Sequence, residues 1–322
     1  MEAGVVIDSR KLLAGDRRTL SRAITLVESR REDDREAAQR LLDEILPASG
    51  RSLRIGVSGV PGVGKSTFIE AFGLHLLEQG RKVAVLAVDP SSPRGGGSLL
   101  GDKTRMERLA NAEAAFIRPS PTAGALGGVA LRTRESMLLC EAAGYDVVII
   151  ETVGVGQSEF DVAAMVDFFL VLLLPNAGDE LQGVKRGIIE LADALVVNKA
   201  DGPSVALAET TRGFYESAMS MLHQAEHERT RVLTCSALEG RNIDLVWQTI
   251  DAFRQAAQGT GAFEQRRAVQ NTAWMERLIR DLLEERLQCD AQLSDLVGEL
   301  RRAVGEGTVS PLAAARQVMA KL

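Results

Sequence analysis

A glycine-rich stretch at residues 59–67, with the letters GVPGVGKST, constrains this chain more than any other feature. It follows an apolar run at residues 53–58 and precedes a helical apolar pattern that begins at Phe68. This order matches G-x-x-x-x-G-K-[ST], the phosphate-binding loop. Glycines let backbone N–H groups converge on a phosphate chain, and the N-terminus of the next helix adds partial positive charge. An ordinary glycine turn is the simpler alternative, but every fixed position of the pattern is filled.

The pattern also assigns roles to single residues of the loop. We expect Lys65 to reach the β- and γ-phosphates of a nucleoside triphosphate and the Ser66 hydroxyl to bind Mg²⁺. The other nucleotide-binding residues expected in the loop are Gly59, Pro61, Gly62, Val63, Gly64 and Thr67.

From residue 53 onward, apolar runs of strand length alternate with helical stretches. They predict strands at 53–58, 82–88, 146–150, 168–174, 194–197 and 232–235. Apolar runs without alternation suit strands that are buried on both faces. Strands interleaved with helices predict an α/β fold with a doubly wound, mainly parallel sheet, whose ligands bind at the C-terminal strand ends.

Segments of different character flank this region. Residues 10–48 carry helical apolar patterns, and we interpret the charge run at 30–36 as a solvated turn between two helices rather than a docking surface. Residues 259–261 resemble a linker, and helices are expected at 266–287, 293–304 and 310–322. We therefore expect an N-terminal helical segment (1–50), a nucleotide-binding domain (51–258) and a C-terminal helical arm (259–322). The arm is too small to hold a core alone and must pack on the main domain or on a second subunit.

A second motif predicts the base of the nucleotide. The letters NKAD at residues 198–201 directly follow a predicted strand and match N-K-x-D, the guanine-recognition pattern of GTPases. Asp201 would accept hydrogen bonds from the ring N–H and amino group of guanine. Asn198 would bond the base and brace the phosphate loop, and the Lys199 stem would lie on the ring face.

Residues 235–238, with the letters CSAL, follow the next strand and resemble the loop that contacts guanine from the other side. The further candidates from this loop are Ser236, Ala237 and Leu238. GTP and GDP are therefore the expected ligands.

Acidic residues follow two predicted strands. Asp89 ends the strand at 82–88, Glu151 ends the strand at 146–150, and Asp102 closes a glycine-rich loop. Carboxylates at neighbouring strand ends could hold Mg²⁺ beside Ser66, directly or through water. For Asp102, a helix cap in front of residues 103–110 is an alternative.

Residues 151–159 begin at a strand end and carry two glycines. A loop of this kind can move when a γ-phosphate is present, which is switch behaviour. Gln157 is a candidate for positioning the attacking water.

The composition of the chain indicates which kinds of partner and which cellular compartment to expect. A net charge of −6 gives no overall electrostatic case for nucleic-acid binding. The three cysteines are far apart, so a reducing, cytoplasmic compartment is expected. His223 and His227 are spaced to share a helix face, and a solvated face is the better interpretation than a metal site. The longest apolar run, 168–174, is too short to span a bilayer, so no membrane is expected.

Several stretches together resemble the MeaB/ArgK family, whose members are G-protein chaperones of adenosylcobalamin-dependent acyl-CoA mutases such as methylmalonyl-CoA mutase. The stretches are 87–92 (AVDPSS), 101–106 (GDKTRM), 116–120 (FIRPS), 151–158 (ETVGVGQS) and 178–183 (GDELQG). The resemblance covers nearly the whole chain and implies a P-loop GTPase of the SIMIBI class.

The resemblance implies further roles. Asp89, Asp102 and Glu151 would lie in the Mg²⁺ and switch region, and residues 176–185 would form another switch that answers the mutase. The catalytic and sensing residues would be Lys65, Asp102, Glu151, Gln182 and Lys185. The C-terminal arm would make a homodimer.

The activity that the resemblance implies is GTP hydrolysis, slow alone and activated by the partner mutase. Hydrolysis would be coupled to the loading of intact adenosylcobalamin into the mutase and to the removal of damaged cofactor. The adenosyltransferase that supplies the cofactor would be a second partner.

Three alternatives remain open. A P-loop kinase is disfavoured by the guanine pattern and by the lack of a recognisable acceptor-binding segment. A GTPase of the nickel-insertion metallochaperone type should carry Cys/His clusters, which are scarce here. An adaptor gated by nucleotide, with negligible turnover, differs from the leading hypothesis only in its rate of hydrolysis.

Overall fold

The structure is a computed structural model that describes residues 7–29, 31–88, 105–119, 128–152, 158–175, 186–222 and 230–321. The chain divides into two compact units, Met1–Glu264 and Gln265–Leu322.

Within the described residues, seven strands form one sheet in the order β3-β2-β4-β1-β5-β6-β7, and every neighbouring pair is parallel. The strands are β1 Leu53–Gly59, β2 Val83–Val88, β3 Ala115–Arg118, β4 Val147–Thr152, β5 Phe168–Leu173, β6 Ala194–Val197 and β7 Arg231–Thr234. The doubly wound, mainly parallel sheet expected from the sequence is confirmed. β3 was not predicted, because its sequence AFIR has only two strong strand formers, Phe116 and Ile117, between alanine and arginine.

Helices connect and cover the strands. They are α1 Ser9–Leu13, α2 Arg17–Glu28, α3 Glu32–Ile45, α4 Lys65–Glu78, α5 Glu107–Asn111, α6 Gly128–Ala142, α7 Ser158–Ala163, α8 Arg186–Glu190, α9 Val205–Leu222, α10 Ile243–Thr260, α11 Ala262–Cys289, α12 Ala291–Gly305 and α13 Pro311–Met319. Short 3₁₀ turns lie at Leu46–Ala48 and Gly202–Ser204.

The main core lies between the sheet and the helices α4 and α10. Every residue of β1, β4, β5 and β6 is buried, which explains why these strands are mostly apolar and lack a polar alternation. On the helix side, Phe68 and Phe72 stack with ring centroids 5.6 Å apart, and Trp247 lies 6.2 Å from Phe72. This packing fixes α4, and with it the loop that precedes α4, against the centre of the sheet.

Two predicted connections are shorter than the sequence suggested. Most of the charge run at 30–36 is helical and not part of a turn, because α3 already begins at Glu32. Acidic residues stabilise the first turn of a helix, and Asp34 also accepts a 2.6 Å hydrogen bond from the Ser29 hydroxyl. The expected linker at 259–261 is a break of one residue, Gly261 with φ +73°, between α10 and α11.

The unit Gln265–Leu322 contains most of α11 together with α12 and α13, close to the helices predicted there. Among its described residues, the buried apolar ones are Leu293, Leu300 and Ala314. Along α11, all of which the structure describes, no residue is buried. Across the described ranges, no helix has both the length and the apolar character needed to cross a bilayer.

Candidate nucleotide-binding site

The loop at residues 60–64 joins β1 to α4, and the glycines on either side of its apolar residues, Gly59 at the end of β1 and Gly64 before α4, have positions that disfavour any side chain. Gly59 has φ +150°, and a Cβ there would lie 2.7 Å from the carbonyl oxygen of Leu172. Gly64 has φ +93°, and a Cβ there would lie 2.8 Å from Nδ2 of Asn198. Val63 is fully buried and anchors the loop in the core. The loop therefore presents backbone rather than side chains.

The N-terminus of α4 opens into this loop. The helix has 14 residues and its N-cap is Gly64, so no capping side chain accepts from the first-turn N–H groups. These donors, together with the positive end of the helix dipole, are what a phosphate group requires.

Lys65, the first residue of α4, folds over the loop. Its Nζ donates to the carbonyl oxygens of Gly59 at 2.8 Å and Val60 at 3.2 Å. Burial lowers the pKa of Lys65, and the negative charges of Glu151 and Glu159 oppose that shift. The ammonium group thus lies at the mouth of the loop, where a phosphate chain could take the place of the two carbonyls.

Ser66 and Glu151 come together as the sequence suggested. The Ser66 hydroxyl lies 3.4 Å from Oε1 of Glu151, whose side chain is buried at the end of β4. Next to it, the Thr152 hydroxyl donates to the Ser58 hydroxyl at 2.9 Å and joins β4 to β1. A hydroxyl and a carboxylate oxygen at one strand edge are the hard ligands that Mg²⁺ prefers, so these residues fit that ion. In the ranges that the structure describes, no group of three His, Cys, Asp or Glu residues is arranged as a metal site.

Asn198 joins the proposed base site to the phosphate loop. It is 1% exposed, and its Nδ2 donates to the carbonyl oxygen of Val63 at 2.9 Å. Its Oδ1 accepts from the Ala237 backbone N–H at 3.1 Å and from the Cys235 thiol at 3.5 Å. The amide side chain is therefore held by three partners, and its one remaining N–H is available to a ligand.

Lys199 and Asp201 are placed by the same turn. Lys199 has φ +58°, and its Nζ donates to the carbonyl oxygen of Gly62 at 2.7 Å. Oδ2 of Asp201 accepts from the Ser236 hydroxyl at 2.7 Å, and that hydroxyl accepts from the Glu239 N–H at 3.1 Å. One carboxylate oxygen of Asp201 is thereby held by the loop at residues 235–238.

The two loops at residues 198–201 and 235–238 form one structure. Ala200 N–H donates to the Cys235 carbonyl at 2.9 Å, and Cys235 N–H donates to the Val197 carbonyl at 2.9 Å. Leu238 is 80% exposed, while Ala237 is buried. The structure thus brings together the predicted residues of both guanine loops and the phosphate loop.

Several predicted residues lie outside the described part of the chain. They are Asp89, Asp102, Gln157, Gln182, Lys185, His223 and His227. Their proposed roles in metal binding, switching and catalysis stay predictions.

Two residues at the site were not singled out in the sequence. Glu159 is 3% exposed in the first turn of α7, and its charge acts on Lys65. An acidic residue in the first turn after a strand-end loop was the available signal. The Cys235 thiol donates a hydrogen bond to Asn198, which is 37 residues away in sequence, and the local sequence pattern does not predict that contact.

The sequence of this chain is similar to those of proteins that are named as GTPases. A family model described as methylmalonyl Co-A mutase-associated GTPase MeaB matches residues 20–292. GTPase ArgK of Escherichia coli is 50% identical over 318 residues, which covers 98% of this chain and 96% of that protein. The mouse (Mus musculus) protein named methylmalonic aciduria type A homolog, mitochondrial, is 47% identical over 311 residues, covering 93% of this chain and 75% of its own.

A solved crystal structure is also similar. It belongs to a protein described as a LAO/AO transport system kinase, with a TM-score of 0.77 and 44% sequence identity. The similarity covers 97% of this chain and 95% of that one.

Proposed function

Because the chain belongs to the MeaB family of methylmalonyl-CoA mutase-associated GTPases, we propose that it hydrolyses GTP to gate adenosylcobalamin loading into a partner acyl-CoA mutase. The same cycle would remove damaged cofactor from the mutase. The fold is the α/β fold of P-loop GTPases of the SIMIBI class that the resemblance implied. The observation that carries the proposal is that Asn198 bonds both the phosphate loop and the loop at residues 235–238, and that the latter loop also holds Asp201.

We propose that nucleotide binding replaces contacts that the loop makes with itself. Lys65 would exchange the carbonyl oxygens of Gly59 and Val60 for phosphate oxygens, since an ammonium group bonds an anionic acceptor more strongly than a neutral one. The first-turn N–H groups of α4 would bind the same phosphates. Asp201 would select guanine through its ring N–H and amino group.

Ser66 and Glu151 would hold Mg²⁺, with Asp89 and Asp102 completing the set. When bound, the ion neutralises charge on the phosphate oxygens. Glu151 is buried and reaches the Ser66 hydroxyl, so it would keep that oxygen directed towards the ion. Phosphoryl transfer to water needs positioning and charge neutralisation more than covalent chemistry, so slow hydrolysis alone and faster hydrolysis with the mutase are expected.

We propose three working parts, namely residues 1–50, 51–258 and 259–322, in a cytoplasmic homodimer. Exposed apolar side chains along α11 support an arm that pairs with a second copy. They recur on one helical face and are Met275 (54% exposed), Ile279 (49%), Leu282 (62%) and Leu283 (42%). The adenosyltransferase that supplies the cofactor is proposed as a further partner.

The direct test is release of phosphate from GTP with and without the purified mutase. We expect the mutase to accelerate hydrolysis by the wild-type chain. The variant Lys65→Ala should release little phosphate in either case, because it lacks the cation at the phosphate loop. A mutase that neither accelerates hydrolysis nor co-purifies with the chain would contradict the proposal.

A P-loop kinase is the second candidate, and the description of the similar solved structure as a transport system kinase favours it. Radiolabelled γ-phosphate separates the two functions. Label recovered on an added acceptor indicates a kinase, whereas label recovered as free phosphate indicates a GTPase.

A further inference from the structure

A cavity of about 300 Å³ lies at the N-terminal edge of the sheet, where β1 and β4 begin. Because the strands are parallel, this edge is opposite to the one that carries the phosphate loop. The cavity is lined by residues from the starts of β1 and β4, from α10 and from the first turn of α11. It belongs to no part of the nucleotide site described above.

Arginines dominate the polar lining of this cavity. Arg51, Arg81 and Arg254 line it, against the two carboxylates of Asp146 and Glu264. Oδ2 of Asp146 already accepts a 2.7 Å hydrogen bond from the Lys82 backbone N–H. The cavity therefore carries more positive than negative charge, although the whole chain has a net charge of −6.

Two of these guanidinium groups are held in place by contacts that involve no carboxylate of the cavity lining. Arg81 lies over the Trp247 ring, 5.6 Å from its centroid, and Trp247 is 6% exposed. Arg254 donates through Nε at 3.0 Å and Nη2 at 2.6 Å to one oxygen of Asp251, which does not line the cavity. Among the described residues, no carboxylate forms an ion pair with Arg51 or Arg81.

We propose that this cavity binds a small phosphate monoester that carries a planar group. Arginine forks match the geometry of phosphate oxygens, and a phosphate would pair with Arg51 and Arg81, which form no ion pair among the described residues. Stacking of a planar group on the Arg81 guanidinium would extend the existing Trp247–Arg81 stack. Leu53, Val147 and Phe263 supply apolar lining, and the volume is at the lower end for small-molecule sites.

Occupancy of this site has a structural consequence. Its lining joins the C-terminal half of α10, through Arg254 and Gln258, to Phe263 in the first turn of α11. A bound phosphate monoester would link the end of α10 and the start of α11, on either side of the break at Gly261, to the start of the sheet. Binding should therefore stabilise the two helix ends against local unfolding.

The test uses the full chain with Mg²⁺ and saturating GDP, so that the phosphate loop is filled. Phenyl phosphate is the probe, and phenol, which lacks the anion, is its control. At constant ionic strength, calorimetry and thermal melting should show saturable binding of one phenyl phosphate per chain and a raised melting temperature. Phenol should do neither.

Variants locate the binding. Arg51→Gln and Arg81→Gln should each weaken phenyl phosphate binding at least tenfold while GDP binding is unchanged. The matched control is Arg231→Gln, because Arg231 is exposed at the start of β7 on the same sheet edge but does not line the cavity. Arg51 is exposed, so its replacement does not threaten folding. Absence of saturable binding to the wild type, or equal binding by the Arg51→Gln variant, would overturn the proposal.

Discussion

Asn198 donates a 2.9 Å hydrogen bond from Nδ2 to the carbonyl oxygen of Val63, inside the phosphate-binding loop. The same amide accepts from the Ala237 N–H through Oδ1. A side chain of the guanine motif thus connects the loop expected to hold phosphates with the loop expected to touch the base. We infer that base recognition and phosphate binding are mechanically coupled in this protein.

Gly64 is where this coupling is most sensitive to a side chain. We predict that Gly64→Ala raises the dissociation constant for GDP at least tenfold. The new Cβ would lie 2.8 Å from Asn198 Nδ2, and a left-handed alanine alone costs roughly 1–2 kcal/mol. A fluorescent GDP analogue measures the change.

The matched control is Gly80→Ala. Gly80 also has a positive φ, +75°, but a Cβ there would meet nothing within 4 Å. This variant should lose some stability and keep its affinity for GDP. Equal affinities for the two variants would show that the contact with Asn198 has no part in binding.

The Cys235 thiol should support Asn198 to a smaller extent. We predict that Cys235→Ala weakens GDP binding roughly three- to fivefold, since a thiol is a weak donor and Ala237 still holds Oδ1. Cys235→Ser should bind GDP like the wild type, because a hydroxyl donates more strongly. Cys140→Ala is the control, since that buried thiol lies on α6. Wild-type affinity for GDP in the Cys235→Ala variant would show that the thiol does not support Asn198.

Chemical modification checks the surroundings of the same thiols. Burial raises the pKa of Cys235 to about 12 and raises that of Cys140 still further, whereas Cys289 is exposed. A maleimide at mildly alkaline pH should therefore label Cys289 first in the folded chain. Mass spectrometry of the peptides would reveal early labelling at Cys235, which would contradict this arrangement.

The buried ion pair between Arg54, near the start of β1, and Glu141 should contribute strongly to the free energy of unfolding. Arg54 Nε and Nη2 donate to the two carboxylate oxygens at 2.7 and 3.0 Å, and the Glu141 side chain is 0% exposed. We predict that Glu141→Gln lowers the free energy of unfolding by about 3–5 kcal/mol, because it leaves a buried guanidinium uncompensated. Urea titration provides the measurement.

An exposed pair supplies the comparison. Arg40 and Glu36 form a 3.6 Å ion pair with side chains 72% and 74% exposed. The variant Glu36→Gln should change the free energy of unfolding by less than about 0.5 kcal/mol. Similar losses from both variants would mean that burial is not what gives the Arg54 pair its importance.

Glu135 should make stability depend on pH. Burial raises its pKa from 4.5 to about 7, against the opposing charge and hydrogen bond of Arg132. Below about pH 4.5 both folded and unfolded states hold the proton, and between that pH and about 7 only the folded state does. The free energy of unfolding contributed by this group therefore falls as pH rises through this window.

The variant Glu135→Gln cannot titrate and should lack this fall. From about pH 5 to about pH 8 we predict that it gains up to about 3 kcal/mol relative to the wild type. Urea unfolding at several pH values measures the difference. Parallel pH profiles for the two proteins would contradict the raised pKa.

The local sequence was sufficient to predict those features of the fold and the site that depend on residues close together in the chain. The phosphate loop, the strands buried on both faces and the motif at 198–201 all have short, dense patterns, and the sheet and its helices followed from them. β3 was missed because only two of its residues, Phe116 and Ile117, are strong strand formers. The one-residue break at Gly261 was overestimated as a linker because a pair of glycines usually interrupts helices.

Contacts between distant segments were beyond the sequence. Arg54 and Glu141 are 87 residues apart, and each alone looks like a surface charge. The cavity at the N-terminal strand edge likewise gathers arginines from the segments that precede β1 and β2 and from α10. Only the folded sheet brings such residues together, because the order of the strands in the sheet, and not their order in the chain, decides which residues are neighbours.

Guanine recognition by Asp201 is tested by the affinity of the Asp201→Asn variant for GTP and for xanthosine triphosphate. Its matched control is Asp244→Asn, an exposed residue in the first turn of α10. We predict that Asp201→Asn weakens GTP binding roughly 10- to 100-fold, since hydrogen bonds to a charged acceptor are worth about 1.5–3 kcal/mol each. It should bind xanthosine triphosphate better than the wild type does, because the hydrogen-bond pattern is inverted. Unchanged GTP affinity in the Asp201→Asn variant would remove Asp201 from the site and contradict guanine recognition by this chain.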